Sequence, residues 1–136
     1  MRTGALLGSL TIPGQPECVH VAREFVAARL DDGYACADTA VLLTSELVTN
    51  SAVHSDSRRD GGTITVTLIA VPGGIRAEVI DEGGATVPSL SPGPGRPDLS
   101  DTGRGLQLIE ALSARWDYWS DEKGTVTWFE LTEPPP

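Results

Sequence analysis

Apolar and small residues from Ala5 to Ile12, followed by the breaker cluster Pro13-Gly14-Gln15-Pro16, predict a short strand and then a helix. Pro16 suits a first helical turn, Val19, Ala22, Val26 and Leu30 recur at helical spacing, and Gly33 supplies a stop. A second periodic stretch runs from about Asp38, a plausible N-cap, to about Ser55, with Val41, Leu42, Leu47, Val48, Ala52 and Val53 as a broad apolar face. After the polar turn Ser57 to Gly62, Ile64, Val66, Leu68 and Ala70 alternate with Thr63, Thr65 and Thr67, the period of a half-buried strand. Pro72-Gly73-Gly74 turns the chain. Ile75, Ala77, Val79 and Asp81 then share one face of the returning strand, so Asp81 should point inward with its apolar companions.

From Glu82 to Thr102 the periodicity collapses into a stretch rich in proline and glycine, which can hold neither helix nor ladder. A structureless loop of that length inside a small domain is usually functional. Gly103 is expected to open a third helix carrying Leu106, Ile109 and Leu112, followed by strands at about Arg115 to Trp119 and Thr125 to Leu131. On the last strand, Val126 and Trp128 should lie on the face opposite Thr125, Thr127, Phe129 and Leu131. Five strands, three helices and a central hairpin predict an α/β fold, a two-layer sandwich with the helices on one face of a mixed, mainly antiparallel sheet.

Length changes this picture little: 136 residues make one domain, 1–136. Apolar residues at 40% and charged ones at 21% exclude a disordered or fibrous chain. No apolar run approaches the ~20 residues needed to span a bilayer, and the opening segment lacks a secretory apolar region, so no membrane contact and a cytoplasmic location are expected. Ten basic against nineteen acidic side chains, a net charge of −9, repel phosphate backbones and exclude direct nucleic-acid binding. Cys18, Cys36, His20 and His54 show no metal-ligand spacing, and the two cysteines read as reduced thiols on or under helices.

The chemistry is carried by short polar constellations. Glu46, Asn50 and His54 lie four apart on the second helix and form one stripe advancing ~40° per step. Asn supplies a neutral oxygen suited to Mg²⁺, and Glu can accept a proton. A solvated helix face would explain the same spacing, and a helix-end histidine near the C-terminal dipole explains His54. Asp81, at the inward end of an apolar strand and followed by Gly83 and Gly84, needs a partner. An amino-bearing ligand would satisfy it, and no basic side chain is evident at the assignable inward positions. Gly103-Arg104-Gly105 at a helix start offers free backbone N–H groups to phosphate oxygens, although ordinary loop-to-helix junctions share this pattern.

The order of these pieces is more specific than any one of them. Glu46-x-x-x-Asn50, Asp81-x-Gly83, a Pro/Gly-rich loop, Gly103-x-Gly105 and Gly124-Thr125 on a final strand, between about Thr39 and Leu131, resemble the GHKL ATPase superfamily. That superfamily includes gyrase, heat-shock chaperone ATPases and histidine kinases. A domain of this size, with a helix ahead of the Glu46–Asn50 segment and no phosphoacceptor helix, is most similar to bacterial anti-sigma factors that are serine/threonine kinases.

The resemblance implies ATP and Mg²⁺ as cofactors, with Asn50 holding the metal and Glu46 acting as general base. It implies that Asp81 accepts from the adenine amino group, that Gly83 lies beside the base, and that Thr125 supports it through water. Gly103 and Gly105 become backbone donors to phosphates, Arg104 a charged donor or a solvent-facing side chain, and residues of about 84–102 an ATP lid. Ala85 departs from the family pattern, which has a glycine there. The implied partners are a sigma factor and an anti-anti-sigma antagonist protein, the latter phosphorylated on serine or threonine. Pairing of two copies into a homodimer is left open. A nucleotide-gated binding module that transfers nothing would carry the same motifs, and Glu46 is the residue that favours catalysis.

Overall fold

The inward residues of the strands and helices meet in one continuous core, built of alternate strand positions and single helix faces. The computed structural model describes residues 4–31, 33–83 and 100–134, the last segment with side chains from Leu106 onward. Its strands are β1 (Ala5–Pro13), β2 (Thr63–Val71), β3 (Gly74–Asp81), β4 (Arg115–Asp121) and β5 (Gly124–Thr132). Its helices are α1 (Val19–Leu30), entered through a 3₁₀ turn at Pro16–Cys18, α2 (Ala37–His54) and α3 (Ser100–Leu112).

The strands lie in the order β1-β2-β3-β5-β4, and each of the four pairings is antiparallel. The expected mixed sheet is therefore antiparallel throughout among the described residues, because each pair is either a hairpin or joined across the helical connection with opposed direction. Register places Val66 opposite Val79 and Val79 opposite Thr127, so one face collects Ile64, Val66, Leu68, Ile75, Ala77, Val79, Phe129 and Leu131. Burying each large aliphatic side chain there stabilises the fold by about 1.5–3 kcal/mol. Against this face pack Ala22, Val26 and Leu30 of α1, Leu43, Leu47 and Val48 of α2, and Leu106 and Ile109 of α3. All three helices thus cover one side.

On the other side, Val126 and Trp128 alternate outward as expected. There Arg76 pairs with Glu78 and Glu130 and lies 3.9 Å over the Trp128 ring, and Arg115 pairs with Glu130. No described helix covers this face, and Trp119 at its edge is 54% exposed. The outward N–H of Tyr118 on edge strand β4 donates to its neighbour Asp117, which removes a free edge donor.

Four sequence expectations shift. Helix α2 starts at Ala37 with Cys36 at its N-cap, so Asp38 falls in the first turn and is not the cap. The acceptor for the free donors at this end comes from across the chain: the Glu133 carboxylate accepts from the N–H groups of Ala35 at 2.9 Å and Cys36 at 2.7 Å. A carboxylate at a helix N-terminus also suits the helix dipole. Burial, with Glu133 beside it, pushes the Cys36 thiol up to about 12, an unreactive neutral group.

The inner face of α2 also differs. Leu42 and Val53 are 41% and 39% exposed, whereas Thr44 and Ser51 are buried, because the face toward the sheet is centred opposite Leu42. Leu112 is exposed rather than core, since successive three-residue steps from Leu106 drift ~60° each and carry it out of the buried stripe. Helix α3 begins at Ser100, so Gly103 does not open it. Of the segment expected to form a lid, residues 84–99 lie outside the described residues.

Thr44 is fully buried and its hydroxyl has no hydrogen-bond partner among the described residues. Thr44→Val keeps the shape and removes the unpaired group, so it should raise unfolding free energy by about 1 kcal/mol in urea titrations. An unchanged or lower midpoint would mean that the hydroxyl is satisfied in solution.

Candidate functional site

Strand β3 delivers its last residue, Asp81, to the end of the sheet under α2. Nothing basic is paired with it among the described residues. Its carboxylate is held by the Ser51 hydroxyl to Oδ2 at 2.5 Å and the Gly83 N–H to Oδ1 at 2.7 Å, with the Thr125 main chain also donating toward it. An ionised carboxylate only accepts and offers about four lone-pair sites, so it retains capacity for an incoming N–H donor. Burial raises the Asp81 carboxyl above the ordinary range, and the Ser51, Gly83 and Thr125 hydrogen bonds pull the other way without cancelling it.

The backbone around Asp81 is shaped by two glycines. Gly83 has φ +77°, which favours glycine, and a Cβ there would come within 3.2 Å of the Gly124 Cα. A Cβ on Gly124 would in turn collide with the Asp81 carbonyl oxygen. The two main chains therefore close against each other. Beside them Thr125, directly opposite Asp81 in the ladder and 4% exposed, shares a 2.6 Å hydrogen bond with the Ser120 hydroxyl.

Glu46 and Asn50 are both half-buried on α2, on the same side of the helix as Leu42 and Val53. The helical rise places them ~6 Å apart along the axis. Ser51, the next residue, turns inward to Asp81, so one helix carries the polar pair on one side and the donor to the half-buried carboxylate on another. His54 stands in the last turn of α2, the position expected for a histidine near the negative end of a helix.

Gly103, Arg104 and Gly105 lie within the first two turns of α3, and the side chain of Arg104 is outside the described residues. An α-helix leaves its first four N–H groups without internal partners. With Ser100 as the first helical residue, the free donors end at Thr102, and the N–H groups of Gly103 and Gly105 join the helical ladder. No group of three or more His, Cys, Asp or Glu side chains suited to a metal occurs among the described residues. A single amide oxygen from Asn50 fits Mg²⁺, which keeps several waters and takes its other ligands from phosphates, better than a cation needing a full protein cage.

Sequence reasoning found Asp81, Gly83 and Thr125 together but missed Ser51 and Ser120. The signal for Ser51 was its place on the buried face, three residues after Val48 and four after Leu47. A serine there needs a polar partner.

A two-layer α/β sandwich with three helices on one face of an antiparallel sheet, ending in this half-buried carboxylate and paired glycines, is the architecture of a histidine kinase-like domain. Residues 12–131 match the sequence profile of the family described as histidine kinase-like ATPase domain, and the chain belongs to that family. No curated protein sequence matches it. Its fold is similar to the crystal structure of the RsbU and RsbW domains of Rv1364c from Mycobacterium tuberculosis, with TM-score 0.62, 22% identity, and coverage of 95% of this chain and 33% of that one. It is also similar to the histidine kinase domain of the blue-light activated histidine kinase EL346 from Erythrobacter litoralis, with TM-score 0.55, 21% identity, and coverage of 90% and 62%. The chain thus spans a third of the first protein and under two thirds of the second. No helix among the described residues is long and apolar enough to cross a membrane.

The raised Asp81 carboxyl has a consequence for stability. The folded state binds this proton more tightly than the unfolded chain, so the group's contribution is fully present below the unfolded value and is lost as pH rises through the folded one. Compared with Asp81→Asn, the wild type should gain stability as pH falls from neutral toward the ordinary aspartate range of about 4. Denaturant titrations of the two proteins across that range check the sign, and a difference moving the opposite way would show that the hydrogen bonds outweigh burial.

Proposed function

We propose that this domain, residues 1–136, binds Mg-ATP and transfers the γ-phosphoryl group to a serine or threonine of an antagonist protein, serving as an anti-sigma regulatory factor. The observation that carries this reading is the half-buried Asp81 carboxylate, which has no cationic partner among the described residues and is held by a helix that also bears Glu46 and Asn50. A purine amino group is the kind of donor that carboxylate can still accept, with Gly83 beside the ring and Thr125 supporting it. Membership of an ATPase-domain family supports ATP as the nucleotide.

In this reading Asn50 holds the metal, which would neutralise phosphate charge and fix the phosphate geometry when bound. The N-terminus of α3 turns its free N–H groups toward the phosphates, Gly103 and Gly105 leave that approach open, and Arg104 adds a charged donor. Residues of about 84–102 act as the lid. Glu46 takes the proton of the acceptor hydroxyl, the hydroxyl oxygen bonds to the γ-phosphorus, and the bond to ADP breaks. Catalysis of this type rests mostly on positioning and charge stabilisation.

The name of the RsbW domain in the structural neighbour supports, by likeness of fold, an anti-sigma role with a sigma factor and an anti-anti-sigma antagonist as partners. The outer face of the sheet, which no described helix covers and where Trp119 is exposed, supports the protein-binding half of the reading and leaves room for a homodimer. The net charge of −9 argues against direct nucleic-acid contact.

Glu46→Gln separates transfer from binding, because it keeps size and hydrogen bonding but cannot take the proton. Its phosphorylation of an acidic antagonist domain should fall ~10²–10⁴-fold with ATP affinity little changed. Asn50→Ala should instead weaken Mg-ATP binding in calorimetric titrations. Transfer by Glu46→Gln at the wild-type rate would remove Glu46 as the base, and unaltered Mg-ATP titration of Asn50→Ala would remove Asn50 from the metal.

A further inference from the structure

The last turn of α2 and the turn that follows it contain three serines that are almost or wholly buried: Ser51 and Ser55 at 6% exposure and Ser57 at 0%. Buried hydroxyls carry a desolvation cost unless each is paired, and here every one is. Ser51 donates to Asp81 Oδ2. The Ser55 hydroxyl donates to the Ser51 carbonyl at 2.7 Å and accepts from the Ser57 N–H at 3.0 Å. The Ser57 hydroxyl accepts from the Glu82 N–H at 2.9 Å. One residue away, the Asp56 N–H donates to the Gly83 carbonyl at 2.6 Å.

The relay begins on the Asp81 side chain and ends on the main chain of the two residues after it. Its geometry is locked from behind, because the Ser57 main chain packs so tightly on Gly14 and Gly62 that a Cβ on either glycine would collide with it. The hydroxyl directions follow from chemistry. A carboxylate cannot donate, so the Ser51 proton is committed to Asp81, and a main-chain N–H cannot accept, so the Ser57 oxygen is committed to Glu82.

We propose that Ser51, Ser55 and Ser57 form a positioning relay that orients the Asp81 carboxylate as an obligate acceptor and holds the Asp81–Gly83 turn in fixed register with α2, so that the site selects purines bearing an amino group at ring position 6. This rests on the nucleotide reading above and extends it to how selectivity is set. The serines do not touch the base. They decide which way the group that does touch it faces, and they tie that group to the helix bearing Glu46 and Asn50. A carbonyl at the amino position would meet an acceptor with no proton to offer, which is a strong ground for rejection.

The test compares ATP with purine riboside triphosphate, the same nucleotide without the amino group, by calorimetry on the full chain with Mg²⁺. Ser51→Ala should lose about tenfold in ATP affinity, as expected for one charge-assisted hydrogen bond, while binding of the analogue changes by less than about twofold. Ser57→Ala should narrow the same ratio by freeing the Glu82 N–H. In an Asp81→Asn background neither serine substitution should change the ratio further. Should Ser51→Ala fold poorly by circular dichroism, Ser51→Cys keeps the shape with a weaker donor and should narrow the ratio in the same direction. A ratio that stays at the wild-type value in both serine variants, or equal losses for both nucleotides, would overturn the relay as a selectivity device and leave it a structural element. A wild type that does not distinguish the two nucleotides would instead overturn Asp81 as the amino-group acceptor.

Discussion

A carboxylate placed at the inward end of a core strand, with no cation beside it among the described residues, is the constraint around which this protein is arranged. Burial favours its neutral form, and only donors brought from elsewhere in the fold can hold it charged and oriented. The donors come from the inner face of α2 and from the main chain of the Gly83 turn. That requirement explains why two glycines must close against each other at the end of the sheet, where any side chain on Gly124 would displace the Asp81 carbonyl.

It also explains the double character of α2. The helix turns aliphatic side chains to the sheet and holds the core, yet the same inward face carries Ser51 to Asp81, while Glu46 and Asn50 occupy another side. Because a helix is stiff over a few turns, the distance between the carboxylate and the polar pair is set by the helical rise and not by loop conformation. Both ends of the helix are tied to the sheet, through Glu133 at the start and through Ser57 and Glu82 beyond the end. A site built this way is held by the scaffold.

Much of this was legible along the chain, and the failures are instructive. The alternation from Thr63 to Ala70 and from Ile75 to Asp81 identified both central strands and correctly turned Asp81 inward, because period-two burial depends only on local pleating. Helix α2 was found but its face was partly misjudged. Exposed Leu42 and Val53 and buried Thr44 and Ser51 blur the contrast between its sides, and a site that needs polar groups inside and tolerates apolar ones outside produces that blurring. Asp38 looked like an N-cap by residue type, but the acceptor that serves the helix start is Glu133, nearly the whole chain away.

The sequence by itself determined the strands and helices, the inward direction of Asp81, and the ordered set of glycines, asparagine and carboxylates that place the chain in its ATPase-domain family. These are properties of local periodicity and of residue types at short spacing. The tertiary structure alone decided the partners: that Ser51 meets Asp81, that Ser120 meets Thr125, that Ser57 holds Glu82, and that Glu133 reaches Ala35 and Cys36. A hydrogen bond has a range of about 3 Å in space and no preferred separation along the chain, so these pairings appear only when the sheet and helices are brought together.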